Sequence, residues 1–314
     1  MVFKINFYKY RKVAFLFSLI LMLFSVFLFV KKNLNLGIDF KGGVMVEAKF
    51  KSAPNLEDLR KNISSFLSTN IEIQEFGDPE TILFRIEKKS NDEEEQKLII
   101  SELKKGLPSD VDYRRVEFVG PKVGKELQIL GLKAILYSLV AMFIYIWFRF
   151  SGWQFGLGAV FALFHDVFST LGFFALTQIE FNLASIAAIL TIAGYSINDT
   201  VVVFDRVREN LVKTEIPLSE LLNKSINQTL SRTIMTSLTT LLALLALFLF
   251  GGEVIKGFVS AMMWGVLVGT YSSIFIASPL IIIFGYINKK KKININFERL
   301  PYNTTLESIT KYLF

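Results

Sequence analysis

Long apolar runs alternate with short polar stretches along most of the chain. A run of about 20 apolar residues matches the hydrocarbon thickness of a bilayer, and six such runs occur, at about 13–30, 127–148, 154–177, 182–204, 233–250 and 255–286. One long polar segment, residues 31–126, separates the first run from the second. The pattern predicts an α-helical polytopic membrane protein with six spans and one domain outside the membrane, between spans one and two.

The polar segment has periodicities of its own. Strand-like alternation marks residues 43–50, 71–76, 81–87 and 111–119, and helical spacing marks residues 55–67 and 92–107. The resulting order, β-α-β-β-α-β, is typical of a ferredoxin-like α+β domain with a four-stranded sheet and two helices on one face. We expect the other face of the sheet to be free to meet a partner.

Composition and charge define the setting of these elements. The chain is 52% hydrophobic with a net charge of +7, but residues 31–126 carry 17 Lys and Arg against 18 Asp and Glu, so the basic excess flanks the membrane spans. This distribution argues against a nucleic-acid partner and, by the positive-inside rule, predicts cytoplasmic termini and a domain on the outer side of the membrane. The expected units are residues 1–30 (N-terminus and span one), 31–126 (periplasmic domain), 127–286 (spans two to six) and 287–314 (a basic cytoplasmic tail).

Two charged residues stand out within the apolar part of the chain. Asp199 interrupts span four, where a carboxylate costs roughly 2.5 to 3.5 kcal/mol by insertion scales and marks a functional site by default. Arg232 lies at the start of span five, on a stripe with Thr229, Thr236 and Thr240. Since Asp199 and this stripe both lie toward the cytoplasmic ends of their helices, Arg232 is the natural counter-charge for Asp199. A desolvated carboxylate can gain a proton within the working pH range, so we predict that Asp199 carries protons.

Other intramembrane residues are assigned supporting roles. The predicted supporting polar residues are Asp166 in span three, Asn198 and Thr200 beside Asp199, and Thr236 in span five. Small residues recur every four positions in span six and predict a close helix-packing face, formed by Gly257, Ala261, Gly265 and Gly269 and continued by Ser273 and Ala277. His165 is the only histidine and the chain has no cysteine, so we expect neither a metal site nor a cofactor.

A glycine-rich stretch, "GIDFKGG", follows span one. It contains Gly37, Asp39, Gly42 and Gly43. Its glycines permit unusual backbone angles where the first helix hands over to the first strand. The stretch "FVGPKVGKEL", residues 118–127, makes the corresponding transition from the last strand to span two.

Five segments together resemble the signature sequences of the SecF family, membrane subunits of the bacterial Sec protein-export machinery with the RND type of transporter fold. They are "GIDFKGG", "FVGPKVGKEL", "FHDVFSTLGFFALTQIEFNL", "AGYSINDTVVVFDRVREN" and "SRTIMTSLTTLLALLALFLFGG". The resemblance implies one half of a pseudo-symmetric unit whose other half is SecD. It also implies that Asp199 and Arg232 match the family residues implicated in proton transport.

The resemblance carries an expected function. Together with SecD and the SecYEG channel, with YajC and YidC as further candidate partners, such a subunit uses the proton-motive force to draw preproteins across the inner membrane at a late, ATP-independent stage. Sodium is the alternative coupling ion. On this hypothesis, protonation of Asp199 weakens its attraction to Arg232, spans four and five shift, and the outer domain moves through spans one and two.

Two alternatives belong to other classes. An intramembrane aspartyl protease could use Asp166 and Asp199 as a carboxylate pair, although neither residue has the Gly-x-Gly-Asp context of that class. A scaffold subunit of the translocon would use its buried polar residues only to set helix register. No nucleophile elbow and no phosphate loop is apparent, so we predict that the chain is not an enzyme.

Overall fold

The computed structural model describes residues 5–66, 71–86, 93–150, 152–214 and 216–285. The predicted tail, residues 287–314, lies outside the described residues. Within them, six helices are long and apolar enough to cross a membrane. They are α1 (Arg11–Lys32), α5 (Pro121–Phe150), α6 (Trp153–Thr177), α7 (Leu183–Lys213), α8 (Leu218–Phe250) and α9 (Glu253–Ser272), the last continued by a π turn (Ser273–Ala277) and α10 (Ser278–Ile283).

The domain between α1 and α5, here named the outer domain, is a four-stranded antiparallel sheet with two helices. Its strands are β1 (Gly43–Lys49), β2 (Ile71–Phe76), β3 (Asp78–Ile86) and β4 (Asp112–Val119), and its helices are α3 (Leu56–Ser64) and α4 (Glu93–Gly106). The strand order β2-β3-β1-β4 is that of a ferredoxin-like unit. The predicted fold class, six spans with an α+β ferredoxin-like domain, is therefore confirmed. The one-turn helix α2 (Ile38–Lys41) connects α1 to this domain.

The two faces of the sheet have different surroundings. On β1, Val44, Val46 and Ala48 point into the core beneath α3 and α4, because alternate strand residues face opposite sides. Met45 lies on the other face and packs with Leu83 of β3. The sequence led us to expect that this second face is free, but it is not. It faces the ends of α6, α7 and α9 across a cleft of about 690 Å³.

Two helical features differ from the hydropathy pattern. The helix α7 continues to Lys213 and α8 already begins at Leu218, since hydropathy marks the apolar part of a helix and not its ends. In the last span a π turn precedes Pro279. Proline cannot donate a backbone hydrogen bond. In this turn the Ser278 hydroxyl donates to the Ser273 carbonyl oxygen at 2.7 Å. The disturbance of the helix before Pro279 thus takes the form of a wide turn.

Helix α7 lies at the centre of the bundle, packed against α6, α8 and α9. Its inner face includes Ala188 and Ile192, both fully buried. The small-residue face of α9 lies against this side of α7. A Cβ atom at Gly265 would lie 2.3 Å from Ile192 Cγ1, and one at Gly269 would lie 3.0 Å from Ser196 Cβ. The glycines therefore permit the close approach of α9 to α7, while Gly257 approaches Ile179 and Ala261 is fully buried.

Candidate functional site

Asp199 lies in the middle of α7 and is 2% exposed. Its Oδ2 atom is buried and has no hydrogen-bond partner within the part of the chain that the structure describes. Most buried polar atoms are paired, and an unpaired one requires an explanation such as a role in catalysis or transport, or an unseen water or ion. The carboxylate is thus enclosed by the bundle but has an oxygen left available for a proton.

Two polar side chains of α8 interact with the Asp199 carboxylate: Arg232 by its charge and Thr236 by its hydroxyl. Arg232 is itself exposed on the outside of the bundle, and no direct ion pair joins it to Asp199 among the described residues. The two opposite charges lie close enough to attract each other without a direct contact. This arrangement would allow their attraction to change with the charge of the carboxylate.

The polar face of α8 has a slightly different phase from the predicted stripe. Thr229 is buried, but Arg232 is exposed and Thr236 and Thr240 are half-buried. The buried hydroxyls that follow Thr229 are those of Thr233 and Ser237. The Ser237 and Thr270 hydroxyls are hydrogen-bonded at 2.7 Å, which links α8 to α9. Arg232 therefore borders the packed face of α8 and does not lie within it.

Asp166 of α6 forms a separate polar centre with 0% exposure. Its Oδ2 atom accepts hydrogen bonds from the Ser196 hydroxyl at 2.6 Å and from the Ser272 hydroxyl at 2.8 Å. Its Oδ1 atom lies 3.1 Å from His165 Nδ1. The carboxylate therefore joins α6, α7 and α9. Sequence reasoning missed both serines, although Ser196 lies one turn before Thr200 and Ser272 adjoins the small-residue ladder.

The predicted supporting residues beside Asp199 have different surroundings. The Thr200 hydroxyl is buried and hydrogen-bonded to the Ser273 hydroxyl at 2.8 Å. Ser273 also donates to the Ser196 carbonyl oxygen at 3.1 Å. Asn198, in contrast, is exposed on the surface of the bundle. Thr200 thus belongs to the contact between α7 and the π turn, whereas Asn198 is available to a neighbouring molecule.

The structure does not pair Asp166 with Asp199 as a protease dyad would require. The partners of Asp166 are His165 and the two serines, whereas the neighbours of Asp199 are Arg232 and Thr236. Over the described ranges, no cluster of three His, Asp or Glu side chains could hold a metal ion. The two carboxylates therefore occupy separate environments.

The glycine-rich stretch after α1 is tightly packed. Gly42 has φ +77°, and a Cβ atom there would lie 2.8 Å from Pro121 Cα. Gly43 also has a positive φ, of 141°. Gly37 packs against the side chain of Glu180 in the α6–α7 loop. The Asp39 carboxylate accepts a hydrogen bond from the backbone N–H of Leu183 at 2.9 Å. These residues hold together the connections between the bundle and the outer domain.

Glu180, in the loop between α6 and α7, is subject to burial and to charges that act on its pKa. Burial raises the pKa of Glu180, while the Arg85 guanidinium, with which it forms an ion pair, opposes that shift. The negative charge of Asp39 also raises this pKa. Sequence analysis missed both partners, because Arg85 lies on a strand and Glu180 in a short loop 95 residues later. Nothing local in either segment signals the contact.

The fold and the intramembrane polar groups define the class of protein, an integral membrane protein with the half-unit architecture of an RND-like transporter. The family "Protein export membrane protein SecD/SecF, C-terminal" matches residues 99–286, and the SecD/SecF GG motif matches residues 27–54. The chain is 46% identical over 288 residues to the protein translocase subunit SecF of Rickettsia bellii, covering 91% of this chain and 94% of that one. It is 45% identical over 290 residues to SecF of Rickettsia rickettsii, covering 91% and 92%.

Solved structures agree with the sequence relatives. A crystal structure of SecDF, a translocon-associated membrane protein from Thermus thermophilus, matches with a TM-score of 0.78 at 36% identity and covers 90% of this chain. SecDF in a super-membrane-facing form matches with a TM-score of 0.67 at 35% identity over 94% of this chain. The chain spans only 39% and 40% of those two polypeptides. It belongs to the SecD/SecF family of protein export membrane proteins, within which it is a SecF.

Proposed function

We propose that this chain is the subunit of a SecD–SecF complex that uses the proton-motive force to promote late, ATP-independent translocation of preproteins. Its similarity to translocase subunits supports a role in protein translocation. One observation carries the proton-driven part, namely the Asp199 carboxylate, enclosed in the bundle beside Arg232 with one oxygen unpaired. One elementary charge crossing the membrane potential supplies about 2.3 kcal/mol per 100 mV, which is enough to shift a balanced helix contact.

In the proposed cycle, a proton reaches Asp199 from the outer side and neutralises it. The neutral side chain no longer attracts Arg232, so α7 and α8 can change their packing. Release of the proton to the cytoplasm restores the attraction. Asp166 holds α6, α7 and α9 together through its serine partners during this cycle. Protons are the proposed coupling ion, and sodium is the alternative that an ion-replacement experiment distinguishes.

The membrane surface of the bundle supports a second membrane subunit as partner. Arg232 and Asn198 are exposed although both belong to membrane-spanning helices. Exposed to lipid, such groups are costly, and intramembrane charged residues almost always face a bundle interior or a cavity. A second half-unit, as in the SecDF polypeptides that this chain matches over part of their length, would cover them. We assign that role to SecD, and SecYEG, YajC and YidC remain proposed partners of the assembled complex.

Replacing Asp199 with asparagine tests the proposed function. Inverted membrane vesicles contain this chain and SecD, a preprotein is stalled after ATP-driven insertion, ATP is removed and a proton gradient is imposed. We expect the gradient to complete export in the wild type and not in Asp199→Asn, because the amide cannot carry the proton. The measurement is the fraction of preprotein fully translocated.

Asp205→Asn is the matched control, since Asp205 lies on the same helix but its side chain is 45% exposed and pairs with Arg149 at 3.2 Å. It should complete export like the wild type. Equal export by Asp199→Asn, with normal assembly, would instead support the scaffold function.

The proposed orientation in the inner membrane is tested separately. We propose, from the flanking basic residues and the positive-inside rule, that the outer domain lies in the periplasm and the α7–α8 connection in the cytoplasm. The chain has no cysteine, so a single cysteine can be introduced at the exposed Ser109 or Glu220. In intact cells with a permeable outer membrane, a membrane-impermeant thiol reagent should label Ser109→Cys and leave Glu220→Cys unlabelled. The reverse labelling would exclude this orientation.

A further inference from the structure

The segment that follows α1 is joined to the loop between α6 and α7. The Gly37 N–H donates to the Phe181 carbonyl oxygen at 2.9 Å, and the Phe181 N–H donates to the Asn35 carbonyl oxygen at 2.7 Å. These bonds surround a parallel β-bridge between Leu36 and Phe181. The Asn35 side chain also donates to the Gln178 carbonyl oxygen at 3.0 Å. Residues 33–39 and 178–183 therefore form one hydrogen-bonded unit, here named the junction.

The junction is attached directly to the first turn of α7. The first N–H groups of a helix lack partners within the helix, and two side chains satisfy such groups here. The Asn182 side chain accepts from the Ser185 N–H, as part of a capping box, and Asp39 accepts from the Leu183 N–H at 2.9 Å. Asp199 lies 16 residues farther along the same helix, about 24 Å at 1.5 Å per residue. A movement of α7 along its axis would therefore act on Asp39 without an intervening loop.

An ion pair attaches the same loop to the outer sheet. Arg85 points from β3 toward the bundle and pairs with Glu180. Arg85 is 9% exposed, and Glu180 is half-buried, with Gly37 packed against its side chain. Arg85 also lies 3.8 Å from the exposed Glu72 on the neighbouring strand. Glu180 is thus its most enclosed anionic partner, and breaking this pair leaves the nearly buried Arg85 with only the more distant Glu72.

These contacts offer a different route from the one that the sequence suggested, which ran through spans one and two. Spans one and two are continuous with the outer domain, but Asp199 lies on neither. The helix that carries Asp199 reaches the outer domain through the junction, at Asp39 and at the Arg85–Glu180 pair. A rigid connection at this point would convert a shift of α7 into a shift of the sheet.

We propose that Asp39, Arg85 and Glu180 are the positioning residues that couple movement of α7 to the outer domain. This inference rests on the proposed proton-driven function and assigns a route to it. In this proposal the junction transmits force from α7 to the outer domain and takes no part in moving the proton. Proton movement and preprotein export should therefore separate when the junction is broken, which a purely structural role does not require.

The test reverses the charges of the ion pair in the full complex with SecD. Arg85→Glu and Glu180→Arg each place two like charges together, whereas the double variant restores an opposite pair. In vesicles we expect each single variant to retain proton uptake that depends on Asp199 and to lose gradient-driven export. The double variant should regain export, at least to half of the wild-type rate. Both quantities are measured in the same vesicles, together with copurification of SecD.

Matched variants separate the possible outcomes. Lys51→Glu breaks an exposed pair of the same domain, Lys51–Asp110 at 3.2 Å, and should leave both quantities unchanged. If the single variants export like the wild type, or lose proton uptake together with export while copurifying with SecD, the coupling role is wrong. If Asp199→Asn exports normally in the same assay, the proposed function itself fails, which is a different result.

A cross-link gives a second test that does not depend on the folding of the charge variants. Cysteines at Asn35 and Gln178, joined by a short bifunctional thiol reagent, would tie the two sides of the junction together. Because we propose that the junction moves as one unit, the cross-linked protein should export at the rate of the same variant before cross-linking. Loss of export on cross-linking would show that the two sides separate during the cycle and would overturn the proposal.

Discussion

Replacing Gly42 with alanine is expected to lower the free energy of unfolding of the complex by about 3 kcal/mol or more. The backbone at Gly42 has φ +77° and ψ 158°, a region that is essentially restricted to glycine and costs other residues about 1–3 kcal/mol. The new Cβ atom would also lie 2.8 Å from Pro121 Cα and 3.2 Å from the Val119 carbonyl oxygen. Since these are backbone atoms, the contact is relieved only by moving the start of α5, with an overpacking cost of about 1–3 kcal/mol.

Two other glycines separate these contributions. Gly252 has nearly the same backbone angles, φ 78° and ψ 169°, but a Cβ atom there would meet nothing within 4 Å. Gly252→Ala should therefore show only the backbone cost. Gly194 lies in α7, also with open space around it, and alanine there should be neutral or stabilise by up to about 1 kcal/mol. Thermal unfolding in detergent checks the order. Equal losses for Gly42→Ala and Gly252→Ala would contradict the steric argument.

The sequence predicts the membrane spans and the outer domain well, for physical reasons. The six apolar runs are long enough to cross a bilayer, and a single segment that crosses one satisfies its own backbone hydrogen bonds only as a helix. The alternation in residues 43–50 and 71–76 is preserved because one face of each strand forms the core with α3 and α4. These features depend on local periodicity. They can therefore be predicted without knowledge of any contact between distant segments.

The site is predicted less completely, because its contacts join distant segments. Asp199 and Arg232 stand out as charges in apolar surroundings, and the structure places them close together. The serine partners of Asp166 carry no such signal, since a serine in a small-residue ladder is equally suited to close packing. Which of them reaches Asp166 depends on the rotation of each helix, and the predicted stripe of Thr229 and Arg232 shows that a one-residue difference in phase matters.

The junction could not be predicted from local patterns at all. The Asn35–Gln178 contact joins residues 143 apart in the chain, and the Arg85–Glu180 contact joins residues 95 apart. The glycine-rich stretch predicts a special turn, and Gly42 has the positive φ that such a turn requires. It gives no indication that Asp39 would hold the first turn of α7. Residues that join two folded units often resemble ordinary loop residues until both units are in place.

Replacing Asp166 with alanine is expected to destabilise the bundle by about 2–4 kcal/mol. The change removes the acceptor for the Ser196 and Ser272 hydroxyls and for His165. Hydrogen bonds between membrane helices average about 0.6 kcal/mol, so the two bonds to the serines would together give only about 1 kcal/mol if they were ordinary ones. The value should exceed that sum because each buried group left unpaired costs about 1–3 kcal/mol. Ser272 recovers part of its loss, since its hydroxyl already lies 3.1 Å from the Gly269 carbonyl oxygen.

Graded variants turn this expectation into a measurement of the network. Asp166→Asn keeps the volume and one acceptor oxygen, so it should lose less than half as much stability as Asp166→Ala. Asp205→Ala, which breaks an exposed ion pair, should cost about 0–1 kcal/mol. Adding Ser272→Ala to Asp166→Ala should cost less than Ser272→Ala alone, because residues that share a network couple by about 0.5–3 kcal/mol. Additive losses, or an Asp166→Ala variant as stable as Asp205→Ala, would show that the carboxylate does not hold these three helices together.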